Sequence, residues 1–266
     1  DEIKSVPGQL VPCSGENDEG EGFTGARDVN HKNLVVQKTY KEYLQKLKQL
    51  GFDSWRYDFT KGFPAKYVAE YNKSSSPYFT VGEYWDANIG LLTRWVNASG
   101  ETFSGATKKS ATFDFSLFYI LERAIKGNWW ELNHKGKMPG LAGTDGYQEY
   151  AVTFVETHDV NSIKGEDNIL KANVYVLTHG GIPMISIKHW LAYPEKINQL
   201  IAVRKKNKIN ADCKVNVVAS NQFYAAYIDD KVAVRLGIGD WIPEGLGWII
   251  NASGTGYVVW SKIQIP

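Results

Sequence analysis

The sequence predicts an α/β fold, in which strands alternate with helices, followed by an antiparallel β module. From Asn33 to about Lys205, short apolar runs alternate with segments whose apolar residues recur every three or four positions. From about Lys214, five short β-like runs follow one another, separated by turn residues. The earlier strands are mostly apolar, as expected of parallel strands buried on both faces.

The elements follow in order along the chain. Residues 1–32 contain the acidic, glycine-rich stretch GENDEGEGFTG, which predicts an irregular loop. An amphipathic helix begins after Asn33 and is ended by Gly51. The next predicted elements are a strand ending near Asp58, helix 65–71, strand 78–85, helix 89–96, strand 111–115, helix 117–125, strand 151–156, helix 167–178, strand 182–187 and helix 195–205. The β module comprises VNVVAS, QFYAAYI, KVAVRLG, GWIINA and YVVWSK.

Composition excludes few classes of function. The chain has 266 residues and 43% hydrophobic residues, enough for a large domain and a small one. Its net charge of +1 gives no electrostatic case for binding nucleic acid or an anionic membrane. Cys13 and Cys213 lie far apart, so either a disulfide or two free thiols would fit.

Three carboxylates stand at the downstream ends of predicted strands: Asp58 in GFDSWRYDF, Glu83 in YFTVGEYW and Asp159 in AVTFVETHD. One acidic residue at a strand end is common, because strands run into polar loops. Three of them in runs rich in aromatic residues indicate a polar site at the carboxyl edge of the sheet, where α/β barrels place their catalytic groups.

The ordered motifs GFDSWRYDF with TKGF, VGEYW and FVETHD closely resemble those of the α-amylase family, glycoside hydrolase family 13, in its plant-type and related bacterial branch. The resemblance covers nearly the whole chain. It implies a partial (β/α)8 TIM barrel, strands four to eight, with a C-terminal antiparallel β domain. The implied domains are 1–32 (the remainder of the calcium-binding insertion, domain B), 33–210 (barrel) and 211–266 (β domain).

The resemblance also implies roles for the acidic residues and their neighbours. Asp58 matches the nucleophile, Glu83 the general acid/base, and Asp159 the third carboxylate, which stabilises the transition state. We expect Asp159 to help keep Glu83 protonated, since like charges raise the pKa of one partner. Arg56 is expected to hydrogen-bond Asp58 and hold it ionised. His158 matches a histidine that binds sugar hydroxyls.

Two further residues match the substrate cleft of the family. Lys61 corresponds to a lysine that contacts sugar on the leaving-group side. Trp85 resembles an aromatic residue at the cleft, although a tryptophan of the core would fit that position nearly as well.

A calcium site is implied by the same resemblance. Asp28, Asp18, the backbone carbonyl near Glu21 and the carbonyl of Gly62 match the ligands, all of which are the hard oxygen donors that Ca²⁺ prefers. Composition alone would favour a solvated acidic loop for GENDEGEG.

The departures from the family pattern concern the first three barrel strands, which have no counterpart here. We expect the edges of strands four and eight to lack partners, which suggests an excised portion or a second chain that completes the barrel. The strand-eight segment GIPMISIKH lacks an aromatic residue usual in the family, and Tyr57 replaces a phenylalanine.

The resemblance implies endo-acting, retaining hydrolysis of α-1,4-glucans such as starch, in a secreted or extracellular protein. Transglycosylation or debranching would use the same carboxylates. A non-catalytic glucan-binding protein or subunit is a further alternative, which the missing strands favour and the intact motifs disfavour. A divalent metal held by the three carboxylates conflicts with Arg56 beside Asp58, because a cation repels the metal.

Overall fold

The computed structural model describes residues 20–22 and 29–263, which fall into two compact units. The first holds the described residues up to Trp85 together with Gly90–Thr112, and the second holds Asp86–Ile89 and the chain from Phe113 onward. The expected calcium ligands Asp18 and Asp28 lie outside the described residues.

The first unit contains short parallel strands with helices between them. Its elements are α1 (Leu34–Gln49), β1 (Ser54–Tyr57), α2 (Ala65–Ser75), β2 (Phe79–Gly82), α3 (Ile89–Ala98), the hairpin β3 (Glu101–Thr102) with β4 (Gly105–Ala106), and the start of β5 (Ala111–Phe113). β1 pairs with β2 in parallel from Ser54↔Phe79 to Tyr57↔Gly82, and β2 pairs with β5 through Val81↔Ala111. The parallel register brings the residues after β1 and β2 to the same edge.

The core of the first unit lies where α1 and α2 pack beside β1. Its buried members are Leu44, Trp55, Tyr67 and Tyr71. α1 begins at Asn33, whose side chain accepts a hydrogen bond from the Val35 amide and so caps the helix. Trp55 is fixed by a 3.0 Å hydrogen bond from Nε1 to Ser75 Oγ on α2. These contacts give β1 a buried support immediately before Asp58.

The second unit begins with the rest of β5 and continues as helices and short parallel strands. Its elements are α4 (Phe115–Ala124), β6 (Ala151–Thr153), α5 (Glu166–Thr178), β7 (Ile182–Pro183), α6 (Ile187–Ala192) and α7 (Pro194–Lys206), with short 3₁₀ helices at Trp129–Leu132, Leu141–Gly143 and Gln148–Tyr150. β6 and β7 are parallel, with Val152↔Ile182. Phe118 stacks on Phe154, with ring centres 5.0 Å apart, and so anchors the segment that leaves β6.

The second unit ends in an antiparallel sheet formed by described residues 215–262. Its strands are β8 (Val215–Ser220), β9 (Tyr224–Ile228), β10 (Val232–Leu236), β11 (Trp248–Gly254) and β12 (Tyr257–Lys262), in the spatial order β11-β12-β10-β9-β8. His179, which follows α5, joins the helices to this sheet, because its Nε2 lies 2.8 Å from the Tyr224 hydroxyl. Arg204 of α7 donates a 2.8 Å hydrogen bond to the His179 carbonyl.

The predicted order of helices and strands is confirmed, but several bounds are not. The strand predicted over 182–187 ends at Pro183, and its last predicted residue, Ile187, begins α6. The helix α6 itself was not among the predicted elements. The strands predicted over 78–85 and 151–156 end at Gly82 and Thr153, where pairing ends. In the described part of the chain, no helix is both long and apolar enough to cross a membrane.

Candidate active site

Asp58 and Glu83 lie on either side of one guanidinium group in the first unit. Asp58 follows the last residue of β1, and Glu83 follows the last residue of β2. Arg56 Nη1 donates to Asp58 Oδ1 at 2.5 Å, as expected from the sequence, and Nη2 lies 2.7 Å from Glu83 Oε1. The contact with Glu83 was not expected. One guanidinium therefore contacts both carboxylates.

The two carboxylates differ in their exposure to solvent. The Asp58 side chain is 74% exposed, whereas that of Glu83 is 8% exposed. Burial is the largest cause that raises the pKa of Glu83 above its usual value, and the charge of Asp58 adds to it. Arg56 and the Phe59 amide, 3.3 Å from Oε2, act in the opposite direction. The expected cause, Asp159, is thus not needed to raise this pKa.

Backbone hydrogen bonds fix the two strand ends against each other. The Glu83 amide donates to the Tyr57 carbonyl at 2.9 Å, and the Thr60 amide donates to the Glu83 carbonyl at 3.1 Å. Between them Phe59 adopts a left-handed backbone conformation, with φ of 41°. The chain turns sharply directly after Asp58.

Two supporting contacts were missed in the sequence. Gly82 lies so close to Trp95 that an added Cβ would stand 2.2 Å from the indole ring. The Tyr57 hydroxyl donates to Asn72 Oδ1 at 2.9 Å, and Asn72 Nδ2 donates to Thr80 Oγ1 at 3.2 Å. Both depend on contacts between different elements, and the pattern of residues gives no signal of them.

The second unit carries His158 and Asp159 in a loop beyond β6. Asp159 lies six positions after Thr153, the last residue of β6, rather than directly at the strand end. Both side chains are exposed, and His158 Nε2 lies 2.9 Å from Asp159 Oδ2. The turn is shaped by Thr157 Oγ1, which accepts hydrogen bonds from the amides of Asp159 and Val160, each at 3.2 Å.

A buried polar cluster lies just before that turn. Glu156 is 7% exposed and His189 is 3% exposed, with 3.2 Å between Glu156 Oε2 and His189 Nε2. Sequence reasoning passed over Glu156, although an acidic residue in the apolar run AVTFVE is itself a signal. Its partner could not be identified from the sequence, because it lies 33 positions away, beyond the predicted strand 182–187.

The residues that match the leaving-group side and the calcium site lie together in the first unit. Lys61 Nζ is 2.9 Å from Glu21 Oε1 and 5.7 Å from the centre of the Tyr84 ring. The Glu21 amide donates to the Lys61 carbonyl at 2.9 Å. An added Cβ on Gly20 would stand 1.9 Å from the Gly62 carbonyl, so the loop backbone lies directly against Gly62.

This arrangement fits part of the expected calcium site. Two of the four expected ligands, Glu21 and Gly62, are neighbours. The Glu21 carboxylate is engaged by Lys61, so its carbonyl is the better donor. Within residues 20–22 and 29–263, no group of three or more His, Cys, Asp or Glu side chains could hold a metal. Any calcium site would therefore rely on carbonyl oxygens and on Asp18 and Asp28.

A groove of about 400 Å³ opens beside β1 in the first unit. Arg56 and Asp58 line it on one side, and aromatic residues line the rest, among them Tyr40, Tyr43 and Phe52. Tyr43 and Phe52 are 57% and 60% exposed. Trp85, which was expected at the cleft, is half-buried.

Comparison with known proteins gives similarities over most of the chain. Residues 206–261 match the family model described as the α-amylase C-terminal β-sheet domain. "Probable alpha-amylase 2" of Arabidopsis thaliana is 33% identical over 274 residues, covering 93% of this chain and 64% of that protein. "Alpha-amylase 3, chloroplastic" of the same plant is 34% identical, covering 92% of this chain and 30% of that protein.

A solved structure is similar in fold. The α-amylase of Anoxybacillus matches with a TM-score of 0.64 at 12% identity, covering 91% of this chain and 66% of that chain. The chain described here spans less than two thirds of the length of either Arabidopsis relative.

Proposed function

Because this chain belongs to the α-amylase family, we propose that it hydrolyses α-1,4-glucosidic bonds within starch-like glucans and retains the anomeric configuration. Relatives named as α-amylases support the substrate class. The observation that carries the proposal is the pairing of one exposed and one buried carboxylate by Arg56.

The proposed reaction has two steps. Asp58 attacks the anomeric carbon while Glu83 gives its proton to the departing glycosidic oxygen, which leaves a glycosyl ester on Asp58. Glu83, now ionised, takes a proton from water, whose oxygen attacks the same carbon and releases Asp58. The third carboxylate, Asp159, is assigned to stabilising the positive charge that develops on the sugar.

The environments of the two carboxylates suit these different roles. A nucleophile must reach the anomeric carbon, and Asp58 is held by the hydrogen bond from Arg56 while its side chain stays 74% exposed. A proton donor must be protonated at the working pH, and burial raises the pKa of Glu83. A single guanidinium that reaches both carboxylates suits the close pair of a retaining enzyme, at about 5 Å, better than the wider pair of an inverting one.

Lys61, Trp85 and His158 are proposed to bind sugar, and Glu21, Gly62, Asp18 and Asp28 to hold Ca²⁺. Bound calcium would supply positive charge to these oxygen donors and would stabilise the folded chain that binds it. We expect chelation with EGTA to lower the melting temperature and added Ca²⁺ to restore it. A melting temperature that does not respond, with no calcium found by elemental analysis, would remove the metal from the proposal.

A second chain that completes the barrel is also proposed. Among the strands of residues 20–22 and 29–263, β1 pairs with β2 alone, and the aromatic groove lies beside it. Unpaired backbone groups next to an apolar groove suit an added strand with apolar side chains. Light scattering on the purified chain, alone and with the remaining segment of a relative, tests for this partner.

The central experiment incubates the chain with soluble starch and Ca²⁺ and follows reducing ends. Asp58→Asn and Glu83→Gln should each lower kcat by several orders of magnitude, because the first removes the nucleophile and the second removes the proton donor. The exposed Asp145→Asn serves as the matched control and should hydrolyse at the wild-type rate. NMR of the first product should show the α anomer.

The alternative function is binding of α-glucan without catalysis, which the unpaired edge of β1 favours. It predicts that the chain sediments with insoluble starch and releases no reducing ends. Such a result, obtained also in the presence of a partner strand segment, would overturn the hydrolase proposal.

A further inference from the structure

Three buried polar side chains form a connected chain in the second unit. Asn173 of α5 and His189 of α6 are 0% and 3% exposed, and Glu156 follows β6. Asn173 Nδ2 lies 3.2 Å from His189 Nδ1, and His189 Nε2 lies 3.2 Å from Glu156 Oε2. Lys188 Nζ lies 3.2 Å from the other oxygen, Oε1, as an ion pair without hydrogen-bond geometry.

The hydrogen bonds fix the protonation pattern of His189. Asn173 Nδ2 also donates to the Ile169 carbonyl at 2.8 Å, which sets the orientation of the amide. Its second N–H then points at His189 Nδ1, which must accept. His189 is therefore neutral, with its proton on Nε2, and donates to Glu156. Burial lowers the pKa of His189, in agreement with this neutral form.

Glu156 immediately precedes the turn that carries Asp159, the proposed third carboxylate. Thr157, the next residue, accepts the amide hydrogens of Asp159 and Val160, and its own amide donates to the Val160 carbonyl at 3.0 Å. The turn is exposed, whereas its root at Glu156 is buried. The hydrogen bond between Glu156 and His189 is thus a buried contact at the start of the exposed turn.

We propose that Glu156 and His189 are positioning residues, which hold the turn of Thr157–Val160 so that His158 and Asp159 keep their orientation toward substrate. The assignment rests on the proposed hydrolysis for its catalytic meaning, and on the hydrogen bonds above for its geometry. Residues that hold a catalytic group in place affect activity, because a small displacement of that group lowers the reaction rate.

The first arm of the test needs no activity. In Glu156→Met the side-chain volume is kept, but His189 loses its acceptor. Hydrogen exchange of the Asp159 and Val160 amides, measured by NMR, should become at least about tenfold faster. Glu156→Gln keeps an oxygen that can accept from His189 and should restore most of the protection. Glu149→Met, on an exposed side chain, is the matched control and should leave both amides unchanged.

The second arm measures kinetics on a maltooligosaccharide. Glu156→Met should lower kcat by about 10- to 100-fold and change KM little, because the loss falls on a group that acts in the transition state. Glu156→Gln should recover most of kcat. A purely structural role would instead lower the amount of folded protein and leave kcat per folded molecule unchanged.

The outcomes separate the two proposals. Exchange rates of Asp159 and Val160 that are equal in wild type and Glu156→Met overturn the positioning role, whatever the activity. A wild-type chain without hydrolysis refutes the proposed function, while the exchange data still decide whether Glu156 anchors the turn. If Glu156→Met does not fold, His189→Leu provides the same comparison, because it removes the hydrogen bond to Glu156 from the other side and leaves Thr157 in place.

Discussion

Arg56 and Glu83 form an ion pair, with 2.7 Å between Nη2 and Oε1, at a carboxylate whose side chain is 8% exposed. Two opposing effects meet there. Burial raises the pKa of Glu83, and the positive charge of Arg56 lowers it. The balance of these two effects sets the pKa of Glu83, and with it the pH range in which Glu83 could serve as the proposed proton donor.

Replacing Arg56 with Gln should shift that balance. The pKa of Glu83 rises further without the cation, so the alkaline limb of kcat/KM should move to higher pH. The maximum of kcat should fall by about 10²- to 10³-fold, because Asp58 also loses its donor. Arg123→Gln, which breaks the Arg123–Glu131 pair, is the matched control. An alkaline limb that stays in place would contradict the assignment of Glu83 as the acid.

Gly82→Ala should distort the strand that ends at Glu83. The new Cβ would stand 2.2 Å from the Trp95 ring, so backbone or indole must move. We expect a loss of about 1 to 3 kcal/mol in the free energy of unfolding, measured in urea, together with lower kcat. Trp95→Leu in the same chain should recover part of both. Gly22→Ala meets no atom within 4 Å and is the control.

Tyr57→Phe tests whether the hydroxyl at this position is structural. Asn72 is 3% exposed, and its Oδ1 would lose the 2.9 Å hydrogen bond from Tyr57. A buried acceptor left without a donor costs about 1 to 3 kcal/mol, so the urea midpoint should fall. Tyr78→Phe, at a side chain that is 77% exposed, should leave the midpoint unchanged. An equal effect at both sites would show that the Asn72 bond contributes nothing.

His179 should make the free energy of unfolding depend on pH in the acidic range. Burial is the main cause that lowers its pKa to about 3, from an ordinary value of 6.5. Below pH 6.5 His179 binds a proton in the unfolded chain but not in the folded chain. This contribution to stability is therefore lost as pH falls from 6.5 toward 3. The slope is about 1.4 kcal/mol per pH unit for one proton.

Urea unfolding between pH 7 and pH 4 measures this slope. His179→Gln should be less stable at pH 7, because the bond with Tyr224 is disturbed, and its slope should be smaller by about one proton. His134→Gln, at an exposed side chain, should keep the wild-type slope. Equal slopes in all three proteins would show that His179 takes up its proton without unfolding.

The parts of the fold that depend on local pattern were predictable. α1 has both apolar spacing and an Asn33 cap, and the five β-like runs from about Lys214 form the strands β8 to β12. Asp58 and Glu83 were found because charge is rare beside buried strands. α6 was not predicted, and the buried contact that it makes between His189 and Glu156 joins segments 33 positions apart, which the local sequence does not reveal.

The close approach of Gly82 to Trp95 was equally invisible in the sequence, since it joins a strand to a helix thirteen positions later. The second contact of Arg56, to Glu83, could be found only after β1 and β2 were known to pair in parallel. The first contact, to Asp58, needed only the spacing of two residues on one strand.

The left-handed backbone conformation of Phe59, the residue after Asp58, lowers the stability of the folded chain. A non-glycine residue at φ of 41° costs on the order of 1 kcal/mol, and a glycine there would be relieved of that cost. An added Cβ on Gly62 would stand 2.9 Å from the Phe59 ring, so the ring fills the space beside Gly62. Efforts to raise thermal tolerance by repairing unfavourable backbone positions should therefore leave Phe59 alone, because a glycine there would give more freedom to the backbone beside Asp58, the proposed nucleophile.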